Sequence, residues 1–197
     1  MRRPAGVLLI LSTLLLTSGS SGAAPEWTFD PNHCEIVFKI RHIFAYVSGV
    51  FEKFDGKVLF DPNDLEGSFI HVRIEVNSID TRIEKRDEHL RSEEFLDAQK
   101  FPYMTFTSSE IVHKKDNDYI ARGKLKIKDV ILQIELPFTY LGSRTDPFND
   151  KQEVAGFDAE YELDRLIYHV GSGKYYEQGV IGKDVTISIH VELLRAR

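Results

Sequence analysis

The sequence predicts an all-β protein whose antiparallel sheet has eight or more strands and one helical interruption. From residue 34 onward, apolar and polar residues alternate in most segments, which is the period of a strand with one buried face. No helical segments alternate with these strands, so the crossover connections of a parallel sheet are missing. One charged segment, 79–102, breaks the alternation and carries apolar residues at roughly helical spacing.

The first 23 residues are predicted to be a secretion signal peptide, and residues 24–197 the mature domain. Two arginines precede an apolar stretch at 7–16, and small and polar residues follow it up to Ala24. The stretch has about half of the roughly 20 apolar residues that a membrane-spanning helix needs. We therefore expect cleavage after Ala23 and export by general secretion.

The net charge and the cysteine count limit the classes of function that the chain can have. The formal net charge is −6, and it becomes −8 once Arg2 and Arg3 leave with the signal peptide. This acidity argues against nucleic-acid binding. Cys34 is the single cysteine, so the chain has no internal disulfide. Cys34 begins an alternating apolar series, which favours an inert buried thiol over a reactive one.

Eight segments have the alternation of half-buried strands. The clearest is 119–128, where Tyr119, Ala121 and Leu125 lie on one face and basic residues on the other. The region 143–151, rich in Asp, Pro and Asn, is predicted to be an exposed loop, and a flexible hairpin connection is predicted around 171–174. The predicted strands are 34–42, 50–60, 70–76, 104–108, 119–128, 130–139, 153–163 and 184–194.

The charged segment is predicted to form a short amphipathic helix across one end of the sheet. Thr81 and Glu84 have the spacing of a capping box at its start. A helix in this position can act as a lid or plug, and the segments 81–96 and 171–182 are the candidate gates of an enclosed interior. The apolar residues at roughly helical spacing are Ile83, Leu90, Phe95 and Leu96.

The segment before and within this helix also carries a recognisable motif. Ser78-Ile-Asp80-Thr81 is followed by Arg86-Asp87-Glu-His89-Leu90. Weaker motifs extend over nearly the whole mature chain: Trp27-Thr-Phe-Asp30-Pro31, Phe38-Lys-Ile-Arg41-His42, Gly49-Val-Phe51, Phe54-Asp-Gly56, Thr105-Phe106-Thr-Ser108 and Gly123-Lys-Leu125. In this order, the motifs resemble the YceI family of bacterial periplasmic proteins.

The resemblance implies an extended, lipocalin-like antiparallel β-barrel of about eight strands, with the short helix inserted at about 84–96. It also implies a soluble periplasmic carrier or reservoir with an internal apolar tunnel for a polyprenyl phosphate, a quinone-like lipid or another long-chain amphiphile, and no further cofactor. Alternation alone gives the inward faces and does not distinguish a hollow barrel from a filled one. The expected tunnel-lining residues are Phe38, Ile40, Val50, Phe54, Val58, Ile74, Phe106, Leu125, Leu136, Phe157 and Tyr161.

The helix brings basic groups to the expected mouth of the barrel. Arg86 and His89 share a helix face at i and i+3, while Asp87 points elsewhere. Guanidinium and imidazole donors suit phosphate or quinone oxygens, so we assign these three residues and His42 to the head group or gate. Alternatively, the helix residues form salt bridges that tie the helix to the barrel, and His42 is a hydrogen-bonded residue of the core.

Two other classes of function remain open. One is a non-enzymatic interaction module with a filled barrel core. The other is a hydrolase or isomerase, but the chain has no Gly-x-Ser-x-Gly motif and we predict neither enzyme activity nor a catalytic residue. The seven histidines show no paired ligand spacing, so no metal site is predicted. The expected partners are the lipid and, transiently, a membrane; a monomer and a dimer are both compatible with the sequence.

Overall fold

The computed structural model describes residues 24–197, so the predicted signal peptide lies outside the described residues. The described residues form ten strands and two α-helices. They are β1 (Glu26–His42), β2 (Ala45–Phe51), β3 (Phe54–Leu59), β4 (Phe69–Glu75), β5 (Ile79–Asp80), α1 (Glu84–Arg91), β6 (Tyr103–Lys115), β7 (Asp118–Ile127), β8 (Val130–Asp146), β9 (Asn149–Asp164), α2 (Gly173–Glu177) and β10 (Ile181–Ala196).

Eight of these strands close into an antiparallel barrel, which confirms the predicted fold class. The order around the barrel is β1-β3-β4-β6-β7-β8-β9-β10, and β10 pairs with β1 to complete the circle. The short strands β2 and β5 extend the sheet beyond β1: β2 pairs with β1 and with β5. Through β5, this extension leads directly into α1, which is therefore held at the end of the barrel where β1 finishes.

Alternation predicts the inward faces correctly in most strands. On β7, Tyr119, Ala121, Gly123 and Ile127 are buried, and the intervening Arg122 is exposed. Each inward side chain can therefore contribute to the barrel interior while its neighbours face solvent.

The predicted strand 50–60 is wrong as a single element. The structure divides it into β2 and β3, with Glu52 and Lys53 between them. This break shifts the alternation, so Phe51 rather than Val50 turns inward, and Phe51 is 7% exposed. A single uninterrupted period would have placed both Val50 and Phe54 on the inner face.

The two regions predicted to lack regular structure are partly regular. The expected loop 143–151 is wrong, because β8 continues to Asp146 and β9 begins at Asn149. A tight turn joins them, in which the Asp146 carboxylate accepts a hydrogen bond from the N–H of Phe148 at 2.8 Å. The connection after 171 contains the short helix α2.

The helix predicted at 84–96 is shorter than expected, because α1 ends at Arg91. Phe95 and Leu96 follow in turns and are still buried, at 4% and 7% exposure. The predicted capping box is wrong: the N-cap position is Ile83, and no side chain caps it. The hydroxyl of Thr81 is bonded to Asp87 instead.

An aromatic cluster fills the barrel at the end opposite α1. Phe60 lies at its centre, with ring centroids 5.2–5.8 Å from those of Tyr119, Phe138, Tyr140 and Phe157. Edge-on and tilted ring pairs at these distances are favourable packing arrangements. This end of the barrel is therefore closed by side chains. Neither α-helix of the described residues is long and apolar enough to cross a membrane.

Candidate functional site

The barrel is hollow above the aromatic cluster. An outer chamber of about 310 Å³ lies beneath α1, and an inner chamber of about 180 Å³ lies deeper in the barrel. A void of only about 10–15 Å³ can hold a water molecule, so these chambers are far larger than packing defects. They share a wall and follow one another along the barrel. The shared residues are Phe51, Met104, Ile127, Leu163 and Ile187.

The outer chamber has apolar walls and a few polar side chains. The barrel strands supply its sides, and Leu90, Phe95 and Leu96 close it from the side of α1. Among residues 24–197, no carboxylate lines it. The charged or titratable side chains on it are His42, Arg86, His89 and Arg165. An apolar pocket with a few convergent polar groups is the usual form of a small-molecule binding site.

Most predicted tunnel residues line one of the two chambers. Val50 does not: it lies in a separate polar groove on the outside of the barrel, because of the break between β2 and β3. Phe38 and Ile40 line the outer chamber. The residues on the inner chamber are Phe54, Val58, Ile74, Phe106, Leu125, Leu136, Phe157 and Tyr161.

Two of the predicted head-group residues, Arg86 and Asp87, are bonded to Thr81. The Asp87 carboxylate accepts the N–H of Thr81 at 2.9 Å and also its hydroxyl. Arg86 donates from Nε to the Thr81 hydroxyl and from Nη2 to its carbonyl, both at 2.7 Å. Asp87 is buried and lines neither chamber, whereas Arg86 lines the outer chamber with these two nitrogens already engaged.

The two histidines on the outer chamber mark its opening, since both are exposed to solvent. His89 Nε2 lies 2.7 Å from Glu94 Oε2, and its ring meets Phe95 edge-on at 4.8 Å. Phe95 stacks in turn with Tyr175 of α2 at 6.0 Å. Hydrogen bonds from His89 and from the Tyr175 hydroxyl lower the pKa of Glu94. These contacts join α1 to α2 across the mouth.

Arg165 is a chamber residue that the sequence reasoning missed. It is 3% exposed, lines the outer chamber and donates from Nε to the Gly182 carbonyl at 2.8 Å and from Nη1 to the Val170 carbonyl at 2.6 Å. Burial lowers its pKa, against the opposing effect of Asp164. A signal was present, because the alternation that directs Tyr161 and Leu163 inward continues to residue 165.

Gly171 allows the loop after β9 to pass close to this arginine. Its φ is +71°, and a Cβ there would lie 2.7 Å from Arg165 Nη1 and 2.8 Å from Phe95 Cε1. A larger residue would therefore disturb both the arginine and the aromatic contact at the mouth.

The remaining reactive groups lie apart from the chambers. Cys34 is half-buried rather than buried as predicted. Burial raises the pKa of its thiol, which donates to the Glu192 carbonyl at 3.1 Å, and both features fit an inert thiol. Ligand atoms of Asp30, His33 and Glu192 lie within 4.8 Å of one another, although no metal-ligand spacing connects them in sequence. His33 Nδ1 is already 2.9 Å from Asp30 Oδ2, and none of the three residues lines either chamber.

A helix-capped β-barrel with a closed aromatic end and an internal apolar cavity is the class of protein that this fold and site define. The model of the YceI-like domain matches residues 27–193, so the chain belongs to the YceI-like domain family. Protein YceI of Salmonella arizonae is 34% identical over 186 residues, which cover 92% of this chain and 93% of that relative.

Solved structures agree with the fold. Burkholderia cenocepacia BcnA has a TM-score of 0.76 and 24% identity, and the match covers 85% of this chain and 99% of BcnA. A Saccharophagus degradans protein has a TM-score of 0.63 and 13% identity, with 87% and 98% of the two chains covered. That protein is described as a polyisoprenoid binding domain implicated in plant cell wall breakdown.

Proposed function

We propose that this protein is an exported carrier or reservoir that holds a long-chain isoprenoid lipid in the two chambers of its barrel. The tail occupies the inner chamber and the polar end stays in the outer chamber, near the mouth. The guest is a polyprenyl phosphate, a quinone-like lipid or another amphiphile with a comparable tail. The protein retains the lipid without converting it.

The length of the cavity is the observation that carries this proposal. Chamber-lining residues of β10 run from Ile181 to Leu193. At about 3.3 Å per residue this is about 40 Å along the strand, and a tilt of about 35–45° leaves about 30 Å along the barrel axis. The hydrocarbon core of a bilayer is also about 30 Å thick and contains two lipid leaflets. The part of the barrel that these residues line is therefore about twice as long as an ordinary acyl chain.

The energetics are compatible with reversible carriage. Burial of each CH₂ is worth about 0.8 kcal/mol against water, so a tail of tens of carbons does not escape spontaneously into the aqueous phase. A bilayer is as apolar as the chamber wall, so the tail contributes little to the balance between protein and membrane. The head group and the mouth must then set the direction and the rate of exchange.

The distant structural neighbour supports an isoprenoid tail over other apolar guests, because that protein is described as binding polyisoprenoid. A hollow interior also counts against the interaction module with a filled core, whose premise was a packed barrel. The sequence of the first 23 residues supports export to the periplasm.

The turn between β1 and β2 is the part of the protein that we propose touches the membrane. Ile43 and Phe44 at its tip are 46% and 91% exposed, and His42 just before them lines the outer chamber. Ile43 has a φ of +51°, a strained conformation for a β-branched residue that hairpin turns usually assign to Gly. Two large apolar side chains held at a strained tip beside the mouth fit shallow insertion into a bilayer.

The proposed function is tested by organic extraction of the protein, purified from the periplasm of the bacterium that produces it, followed by mass spectrometry. We expect about one long-chain isoprenoid lipid per protein molecule. Reconstitution of the emptied protein with the extracted lipid checks that the binding is reversible. A barrel that contains no lipid and takes none up from vesicles contradicts carriage, and conversion of the lipid during incubation would indicate an enzyme instead.

A further inference from the structure

The titratable side chains that line the outer chamber are all basic residues. It is lined by Arg86, Arg165, His42 and His89, and by no carboxylate from the part of the chain that the structure describes. This is unexpected in a chain with a formal net charge of −6. In an apolar chamber, where screening is weak, such an arrangement favours an anionic guest.

Arg165 is the buried member of this group, and its charge has no ion-pair partner among the described residues that line the chamber. The neighbouring Asp164 is directed to other groups: its carboxylate accepts hydrogen bonds from Lys183 Nζ and from the N–H of Leu166, both at 2.9 Å. Lys183 also contacts Asp184 at 3.2 Å. Asp164, the acidic residue next to Arg165 in the chain, is therefore engaged away from its guanidinium.

One nitrogen of the guanidinium remains without a partner. Nε and Nη1 are bonded to backbone carbonyls, but Nη2 is buried and has no hydrogen-bond partner among residues 24–197. A buried charged donor without a partner is costly, and native proteins retain such groups only rarely. In Arg86, Nε and Nη2 are bonded to Thr81, and the remaining nitrogen, Nη1, is not a buried donor without a partner.

We propose that Arg165 Nη2 binds an anionic oxygen, of a phosphate or a carboxylate, at the polar end of the lipid in the outer chamber. The inference rests on the proposed function and specifies its head group. The backbone carbonyls hold the guanidinium in place, and Nη2 is the nitrogen that they leave without a partner. A neutral guest of the same length leaves this donor unsatisfied and binds more weakly.

A purely structural role for Arg165 is the competing explanation. Its two carbonyl contacts tie the turn after β9 to β10, and this clamp alone would make the residue important for folding. A structural role affects all guests equally. A head-group role affects the ratio of affinities for charged and neutral guests with the same tail, and this ratio is what the experiment must measure.

Geranylgeranyl phosphate and geranylgeraniol are suitable probes, because they share one isoprenoid tail and differ in the head group. Delipidated wild-type protein is titrated with each probe, together with Arg165→Gln, Arg165→Lys and Arg144→Gln. Arg144 is an exposed arginine of β8 and serves as the matched control. Wild type and Arg144→Gln should prefer the phosphate by about 10- to 100-fold, the range expected for a charge-assisted hydrogen bond.

In Arg165→Gln the preference should fall to within about threefold while the affinity for geranylgeraniol is retained, and Arg165→Lys should restore part of it. Equal loss of both affinities in Arg165→Gln would overturn the head-group site and leave a structural clamp. If Arg165→Gln does not fold, the test uses the ratio of the two affinities in wild type and in Arg165→Lys. A wild type that does not prefer the phosphate also overturns the site.

Two further outcomes separate this inference from the proposed function. If wild type binds neither probe nor the lipid extracted from cells, isoprenoid carriage is overturned and the head-group site with it. If both probes bind equally, only the head-group site is overturned. Inorganic phosphate is titrated alone as a third probe. Phosphate binding as tight as that of geranylgeranyl phosphate would overturn the assignment to a lipid.

Discussion

The carboxylate of Asp87 holds the backbone N–H and the hydroxyl of Thr81, and each of the two residues is only 4% exposed. Arg86 donates to the hydroxyl and to the carbonyl of the same threonine. This arrangement fixes the start of α1 to the end of β5, and through β5 and β2 to the barrel wall. The start of α1 is thus anchored at one threonine by hydrogen bonds. The sequence had led us to expect a head-group or gate role for Arg86 and Asp87, with salt bridges as the alternative.

Asp87→Ala should destabilise the protein and loosen the lid. The substitution leaves the buried N–H and hydroxyl of Thr81 without their acceptor, which costs about 3 kcal/mol in the free energy of unfolding. Urea denaturation measures this loss, and hydrogen exchange at residues 84–91 reports on the lid. Glu88→Ala, an exposed neighbour on the same helix, is the control and should change little. Equal stability of the two variants would contradict the anchor.

Alternation predicted the barrel well because each strand has one face in an apolar interior and one in solvent. It failed at Val50, because the inward residues Phe51 and Phe54 lie three positions apart across the break between β2 and β3, and the two residues in the break are neither Gly nor Pro. It also could not show that the interior is hollow, since a period tells which side chains face inward and not how well they fill the space. Arg165 was missed because an arginine at an inward position looked like the end of a strand.

The wall shared by the two chambers should control the length of the guest. Ile187 lies on this wall, and Ile187→Trp places an indole between the chambers. We expect the variant to retain a short isoprenoid such as geranylgeraniol in the outer chamber and to lose longer polyprenols, which need both chambers. Competition binding with a series of polyprenols of increasing length measures the cut-off.

Ser188→Trp is the matched control for this variant, because the alternation of β10 directs residue 188 to the outside, opposite Glu160 and Val37. It should bind the whole series as wild type does. If Ile187→Trp binds long polyprenols with unchanged affinity, the two chambers do not form one tunnel.

Acid should loosen the link between α1 and α2. The Glu94 carboxylate accepts hydrogen bonds from His89 and Tyr175, and Lys174 adds a favourable charge, so the pKa of Glu94 lies below its ordinary value. A carboxyl group with a lowered pKa stabilises the folded state above its unfolded pKa of about 4.3, and this contribution is lost as the pH falls through the folded pKa. Guest exchange should therefore accelerate below about pH 4.

The Glu94→Gln variant distinguishes this effect from general acid unfolding. It lacks the titrating group, so its exchange rate should be raised already at neutral pH and should show a smaller acid response than wild type. Stopped-flow transfer of a fluorescent isoprenoid gives the rates, and far-UV circular dichroism confirms that the barrel stays folded over the same pH range. Identical acid responses in both proteins would assign the effect to another group.

The tip of the β1–β2 turn should set the rate at which the protein collects lipid from a membrane. Phe44→Ser removes the ring that is 91% exposed beside the mouth and should slow transfer from phospholipid vesicles by about tenfold, the effect of about 1.4 kcal/mol in membrane attachment. Affinity for a detergent-dispersed lipid should not change, because Phe44 does not line either chamber.

Phe148→Ser is a strong control: Phe148 is 97% exposed on the β8–β9 turn, at the closed end of the barrel. Both variants remove one exposed phenyl ring, so they lose similar apolar surface and differ in where it lies. Equal slowing by the two substitutions would show that exposed aromatic surface in general drives transfer, and would remove the membrane role from the mouth.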